Sequence, residues 1–289
     1  MNETEKKYLI ASIVEVLIAI GIAFAGNQYS VKVGNLPLLG ILVAWAFLVN
    51  WIAFIPAYKN QTEKFFDLTG SITYITTILL AFFLNPEARD ARSFLILGVV
   101  LAWAFRLGTF LFSRIQKDGK DGRFDEIKPS FVRFLHVWTL QGLWVAFTVL
   151  AALMAVTSTT HKPLGAWGLV GGLIWLFGFR IEVVADSQKN TFRNNPANKG
   201  KFINSGLWAR SRHPNYFGEI MLWVGVMLIA VPVLQSWQWI ALISPIFVTL
   251  LLTKVSGVPM LEARADEKWG GQEDYEQYKK NTPVLIPRL

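Results

Sequence analysis

The chain has 289 residues, 53% of them hydrophobic and only 17% charged, with 12 Trp, no Cys and a formal net charge of +8. Soluble domains are about 25% charged, so this balance excludes an ordinary soluble enzyme. The missing Cys excludes disulfides, thiolate metal sites and a cysteine nucleophile.

Apolar runs near 20 residues recur along the chain, the length that crosses ~30 Å of hydrocarbon as helix. In chain order, eight spans are predicted at 8–25, 37–57, 68–84, 93–113, 134–156, 164–185, 216–233 and 237–253. The first follows Met1-Asn2-Glu3-Thr4-Glu5-Lys6-Lys7 without a small-residue cleavage site, and reads as a retained helix. With the amino terminus inside, all but six of the 28 Lys and Arg fall on inner segments. The exceptions are Lys32, Arg89, Arg92 and Lys162 in outer loops, and Arg106 and Arg180 within spans. This is the positive-inside distribution, and it predicts that both termini are cytoplasmic. The basic face suits anionic lipid. Scattered over loops between spans, it forms no nucleic-acid surface.

The predicted fold class is therefore all-α, a polytopic transmembrane helical bundle making one membrane domain over residues 1–289. Residues 1–113 are mostly helix with short loops, and 114–289 alternate helix pairs with long charged inner segments. Turn-rich loops are expected at 117–123 and 194–200, and an outer turn at Val231-Pro232 to Gln235-Ser236. Acidic and basic residues at helical spacing predict a single inner helix from Glu262 to Tyr278, after which Pro283 and Pro287 close the chain in extended form.

Several polar residues stand at or inside the spans. Arg106 lies mid-span in Ala102-Trp103-Ala104-Phe105-Arg106-Leu107. A charge at that depth costs ~2.5–3.5 kcal/mol on insertion scales, so it should face a bound anion or pair with Glu182, also within a span. Arg114, near the inner end of the same helix, extends this into a ladder toward the surface. Asp186, Lys189 and Arg193 share one side if the sixth helix continues, although an ordinary juxtamembrane charge cluster has the same spacing. Ser211-Arg212-His213-Pro214-Asn215-Tyr216-Phe217-Gly218-Glu219 reads as a helix start with Pro214 in its first turn. Backbone donors there, with Arg212, suit phosphate. His213, held extended by Pro214, suits a hydrogen bond to a cofactor or a carbonyl. The three His residues are too far apart for a metal site. Asn215 and Glu219 share a helix face and can hold an amide-bearing ring such as nicotinamide; a lipid-headgroup interface is the simpler alternative.

Asp186…Lys189…Phe192-Arg193, Gly206-Leu207-Trp208 and Ser211 to Glu219 together resemble the carboxy-terminal signature of the steroid 5-alpha-reductase superfamily, particularly its bacterial membrane branch. The similarity covers 178–289, is weaker over 106–123, and in the first 90 residues is mainly one of hydrophobicity. It implies NADPH held among the inner halves of the later helices. It also implies hydride transfer to an activated C=C bond of a lipophilic substrate entering from the bilayer among the first four spans, and a bacterial inner-membrane location. Asp186, Arg193, Asn215, Tyr216 and Glu219 match cofactor-contacting or cofactor-supporting positions of the superfamily. Lys189, Trp208, Arg212 and His213 belong to the same signature. Lys201 stands where a basic residue is usual, and Arg106 and Arg114 match a helix with cofactor-side arginines. Tyr275, Tyr278 and Leu285-Ile286-Pro287 match the family's tail, where Arg264 and Lys268 are expected phosphate partners. No Gly-x-Gly-x-x-Gly loop follows a strand, so no Rossmann unit is expected.

The chain departs from the superfamily at the carbonyl-activating group. The resemblance calls for a Gln-Glu pair on an early helix and a Tyr three residues before the buried Arg. Here the latter is Trp103, and the early spans contain no Gln-Glu pair. Trp has no acidic proton to give, so the expected substitutes are Tyr74, or Gln61, Glu63 and Asp67 near the inner end of the third span. Methyltransferases that use S-adenosylmethionine on lipids or prenylated cysteines share an Arg-His-Pro-x-Tyr string like Arg212 to Tyr216, with Glu262 and downstream Tyr residues. Methyl transfer is therefore the second reading, and a non-enzymatic lipid binder or transporter the third. The sequence sets no oligomeric state.

Overall fold

The computed structural model describes residues 2–288. Among the described residues, seven helical segments are long and apolar enough to cross a bilayer. An eighth forms when α5 (Phe131–Thr148) and α6 (Leu150–Val156) are taken as one segment bent by 55°. The others are built from α1 (Glu3–Gly26), α2 (Leu38–Lys59), α3 (Phe66–Leu84), α4 (Ala91–Asp118), α7 (Gly165–Asn194), α8 (Pro214–Ala230) and α9 (Ile243–Leu250). A turn of π-helix links α9 to α10 (Gly257–Trp269), which is followed by α11 (Glu273–Asn281). Each predicted span meets one of these segments, and the chain is a multi-pass integral membrane protein. Many large apolar side chains of the spans face outward: Phe24 is 80% exposed, while Glu15 on the same helix is 8% exposed. Such apolar exteriors mark membrane contact.

Local chemistry sets the helix ends. The Asn2 side chain accepts from the Glu5 amide while the Glu5 carboxylate accepts from the Asn2 amide, a capping box at the start of α1. The Asp90 and Ser130 side chains cap α4 and α5 by accepting from the Ser93 and Arg133 amides. The bend between α5 and α6 falls where the Ser244 hydroxyl donates to the Thr148 carbonyl, drawing an acceptor out of the helical ladder. The tail differs from the single helix expected over 262–278. It breaks into α10 and α11 at Gly270-Gly271, where Gly271 takes a φ of +83°, a conformation that glycine adopts without strain.

By contacts the chain divides into two compact units: Met1–Gly168 with Ile229–Ser244, and Leu169–Leu228 with Pro245–Leu289. In the first unit, the predicted inner segments meet at one end of the helices. Ser130 Oγ donates to Glu5 across 3.0 Å, and the Asp121 amide donates to Glu63 across 2.8 Å. The predicted outer loops meet at the other end. The Val31 amide donates to the Thr157 carbonyl at 2.8 Å, Asn85 Nδ2 to that of Val156 at 2.7 Å, and Gln235 Nε2 to Thr160 Oγ1 at 2.6 Å. Arg92, 2% exposed, ties this end together by donating to the Pro163 and Ile229 carbonyls. A two-stranded hairpin, β1 (Lys32–Val33) and β2 (Leu36–Pro37), lies in the first outer loop.

In the second unit α7 and α8 cross at glycines. A Cβ built on Gly178 would lie 2.5 Å from the Gly218 carbonyl oxygen, and one on Gly225 would lie 2.6 Å from that of Gly171. The glycines repeat every seven residues on each helix, so small residues let the two backbones touch along one seam.

Candidate cofactor-binding site

In the second unit, α7 continues past residue 185 to Asn194, which puts Asp186, Lys189 and Arg193 on one unbroken helix. A short 3₁₀ turn, Gly206–Ala209, folds back onto this end. Gln188 accepts from the Leu207 amide at 2.9 Å and Trp208 Nε1 donates to the Ala185 carbonyl at 2.9 Å. Gly206 is required there, because it has a φ of +62° and a Cβ would strike the Gln188 amide at 2.6 Å. Lys189 Nζ sits 4.5 Å from the centre of the Trp208 ring, a favourable cation–π distance.

Between α7, this turn and α10–α11 lies a cleft of about 290 Å³, near the lower bound of small-ligand sites. Six basic side chains line it, Lys189, Arg193, Lys201, Arg212, Arg264 and Lys268, against a single acidic one, Glu262. The aromatic side of the cleft is a packed group in which the Phe202 ring lies 5.3 Å from both Tyr275 and Tyr278 and 6.0 Å from Trp269. Tyr278 donates its hydroxyl to the Trp208 carbonyl at 2.7 Å. Burial pushes the Tyr278 hydroxyl well above its ordinary pKa, and burial plus the bond to Asp266 does the same for Tyr275. Both phenols donate hydrogen bonds, Tyr278 to the Trp208 carbonyl and Tyr275 to Asp266.

Glu262 organises the floor of the cleft. One oxygen accepts from His213 Nε2 at 2.7 Å and the other forms an ion pair with Arg212 at 2.5 Å. His213 is 4% exposed, its ring stacks on Tyr216 with centroids 5.7 Å apart, and its Nδ1 is buried with no hydrogen-bond partner among the described residues. The backbone donors expected to meet phosphate are used otherwise: the Arg212 amide donates to the Pro283 carbonyl and the His213 amide to Val284. Ser211 Oγ donates to Leu285 at 2.8 Å and the Arg288 amide to the Arg210 carbonyl at 3.0 Å. The carboxy-terminal segment is thus a strap under the loop that carries His213. Ending the chain after Thr282 removes these four bonds. At about 0.5–1.5 kcal/mol each, the expected loss is on the order of 2–6 kcal/mol, read as a lowered Tm of the purified protein.

Eight of the expected cofactor residues line the cleft: Lys189, Arg193, Lys201, Trp208, Arg212, His213, Arg264 and Lys268. Asp186, Asn215, Tyr216 and Glu219 stand apart on α7 and α8. Asn215 donates to Asp186 at 3.2 Å and keeps a buried Oδ1 without a partner among the described residues. Glu262 was absent from the expected set. So were Phe202 and Trp269, each of which only follows a single Lys in sequence.

The remaining expected residues belong to the first unit. Arg106 lies over the Phe110 ring at 5.5 Å, and Arg114 pairs with Asp67 at 3.5 Å, across α3 and α4. Tyr74 meets Trp103 edge-to-face with ring centres 5.0 Å apart. Glu63 is 4% exposed and bonded to Lys128 at 2.5 Å as well as to the Asp121 amide, which makes it a clamp between two inner loops. Burial alone would raise the Glu63 pKa, but the Lys128 and backbone bonds outweigh it and hold the carboxyl below its ordinary 4.5. A carboxyl with a depressed folded pKa stabilises fully above its unfolded value and loses that contribution as pH falls through the folded one. Glu63→Gln is therefore expected to destabilise by ~1–3 kcal/mol at neutral pH. The gap from wild type should close as pH falls below 4.5, as urea unfolding at the two ends of that range would show.

The sequence pattern that defines the family described as "Protein of unknown function (DUF1295)" matches residues 53–282. Steroid 5-alpha-reductase DET2 of Gossypium hirsutum is 26% identical over 218 residues, 73% of this chain and 77% of that protein. A Delta(14)-sterol reductase of Methylotuvimicrobium alcaliphilum is 29% identical over 293 residues, 92% of this chain and 57% of that protein. A shorter stretch is 33% identical over 96 residues to a probable O-methyltransferase, ustE of Ustilaginoidea virens, covering 28% of this chain and 34% of that protein. The chain thus spans about three quarters of the first relative and little more than half, or a third, of the other two.

Proposed function

The chain belongs to the DUF1295 family, and from that membership and the charge of its cleft we propose that it is a membrane oxidoreductase, an NADPH-dependent reductase of an activated C=C bond in a lipophilic substrate. The relatives named as steroid and sterol reductases support the reaction class. The observation that carries the cofactor is the excess of cations in the cleft: Arg193, Lys201 and Arg264 line it, and none of the three makes a side-chain ion pair among the described residues. A dinucleotide with a pyrophosphate and a further ribose phosphate matches such a cleft. S-adenosylmethionine, which has no phosphate and carries a sulfonium cation, does not, and this outweighs the short methyltransferase match.

When bound, the dinucleotide would supply the hydride. The protein's own part is to hold and exclude. Arg193, Lys201, Arg264 and Lys268 would neutralise phosphate charge by charge-assisted hydrogen bonds. The rings of Phe202, Trp269 and Tyr275 give the base a face to stack on. His213, its Nε2 fixed by Glu262, keeps Nδ1 to bond the ligand. Asn215, anchored on Asp186, and Glu219 one turn on would orient the nicotinamide end. In the first unit Tyr74, Asp67 and Glu63 are the residues proposed for carbonyl activation, with Arg106 and Arg114 as the cofactor-side cations of that helix. Of these, Glu63 is already engaged by Lys128 and Asp67 by Arg114. The setting proposed is a bacterial inner membrane.

The test is turnover of a simple enone lipid. Full-length protein in nanodiscs, given NADPH and cholestenone, should oxidise the nicotinamide and yield an equal amount of saturated ketone. Methyl transfer from labelled S-adenosylmethionine into lipid, without nicotinamide oxidation, would replace this reading with the second.

A further inference from the structure

A second polar constellation lies inside the first unit, within the membrane-spanning part of α1 and α5. Glu15 sits roughly 18 Å along α1 from the helix start at 1.5 Å per residue, and it is 8% exposed. Its Oε1 is 3.4 Å from His136 Nδ1 on α5. Its Oε2 is buried and has no hydrogen-bond partner among the described residues. One turn nearer the helix start, Ser12 Oγ lies 3.3 Å from the same His136 nitrogen, and the Tyr8 ring packs on the imidazole at 5.0 Å. A buried polar atom left without a partner costs on the order of a few kcal/mol, and ionisable groups at membrane depth are rare unless they have work to do. The carboxyl–imidazole contact satisfies one oxygen of Glu15 and leaves the other open.

An apolar groove runs beside this pair. Its first part, about 330 Å³, is bounded by Ser12, Val16, Trp51 and Thr139 from α1, α2 and α5. Its second part, about 410 Å³, shares Val16 and Trp51 and continues along α1 and α2 past Ala23 and Phe47. The polar side chains lining the first part are Ser12, which reaches His136 Nδ1, and Thr139, while Asn27 in the second part already accepts from the Gly40 amide. A groove that is mostly apolar, with an unpartnered carboxyl oxygen one turn from Ser12, fits a lipid with a single oxygen at one end.

We propose that Glu15, His136 and Ser12 form a hydrogen-bonding seat for the terminal oxygen of a lipophilic ketone or alcohol whose apolar body lies in the groove along α1 and α2. A carboxyl and an imidazole sharing one proton can donate to a carbonyl and accept from a hydroxyl, so the seat takes either oxygen. The seat is built from α1 and α5 and not from the residues at α3 proposed for carbonyl activation, so it holds a lipid's oxygen whether or not that lipid is reduced, and it is tested by binding alone.

The experiment is equilibrium binding of radiolabelled cholestenone, cholesterol and the oxygen-free hydrocarbon cholestane to full-length protein in nanodiscs, with NADPH titrated separately into the same preparations. Wild type should bind the ketone and the alcohol roughly tenfold more tightly than the hydrocarbon, the scale of one buried hydrogen bond. Glu15→Leu and His136→Phe should each abolish that preference, retain the hydrocarbon's affinity and keep wild-type NADPH binding. Glu15→Gln, which preserves size and a donor, should keep part of the preference and serves as the variant least able to disturb the fold. Preference retained in both Glu15→Leu and His136→Phe, or equal or absent binding of all three lipids by wild type, overturns the seat. Failure of NADPH to bind wild type counts against the reductase reading and leaves the lipid preference to be judged by itself.

Discussion

Replacing Arg193 and Lys201 together by Ala is expected to weaken NADPH binding ~100-fold or more while leaving the ligand-free protein as stable as before. Charge-assisted hydrogen bonds contribute about 1.5–3 kcal/mol each, and two at the lower end of that range give two factors of ten. Both side chains are exposed and neither makes a side-chain ion pair among the described residues, so their removal strips the ligand of partners without orphaning a protein group. Arg212 behaves differently, because it is ion-paired with Glu262. Arg212→Ala leaves that carboxylate half-buried beside His213 and should lower stability as well as affinity. A titration in which the double variant holds its Tm but binds NADPH as wild type does would remove the cleft from consideration as the phosphate site.

The second large effect concerns the seam between α7 and α8. A Cβ on Gly218 would stand 2.6 Å from the Gly178 carbonyl oxygen and 2.7 Å from the Glu182 amide nitrogen. These are backbone atoms, so no rotamer change relieves the contact and the helices must part. Overpacking of a tight interface costs about 1–3 kcal/mol, so Gly218→Ala should fall near the upper end and Gly218→Leu beyond it. The damage should reach the site, since Asn215 and Asp186, joined at 3.2 Å, sit on the same two helices close to the crossing. The controls are Gly21→Ala and Gly98→Ala, where a Cβ meets nothing within 4 Å. Both should be neutral or slightly stabilising, because Ala is the better helix former by about 1 kcal/mol. Equal Tm values for Gly218→Leu and Gly98→Ala would show that the seam does not hold the helices.

The spans were legible because hydropathy and basic-residue placement act locally and add up along a segment. The start of α8 at Pro214 was legible for the same reason, as one proline and its neighbours decide it. The cationic half of the cleft was readable as a cluster, since Lys189, Arg193, Lys201 and Arg212 are close in sequence. Its other half was not, because Glu262 lies 49 residues from His213 and nothing in a carboxylate's neighbours says which imidazole it will meet. The strap from Pro283 to Arg288 was hidden because it pairs through backbone amides, which every sequence has. The α7–α8 seam did leave a signal in Gly171, Gly178, Gly218 and Gly225, a seven-residue glycine repeat on each helix. Glu15 left one too, as a lone carboxylate in an apolar run. The break at Gly270-Gly271 was foreshadowed by two adjacent glycines inside an otherwise helical charge pattern.

The most direct measurement is the thermal stability of the detergent-purified full-length protein with NADPH, NADH and S-adenosylmethionine titrated separately. A ligand that binds only the folded state adds ~2.7 kcal/mol at a hundred times its dissociation constant. Stabilisation by NADPH at far lower concentration than NADH, with none by S-adenosylmethionine, is the expected result for a cleft with six cations and one carboxylate. Stabilisation by S-adenosylmethionine alone would contradict it.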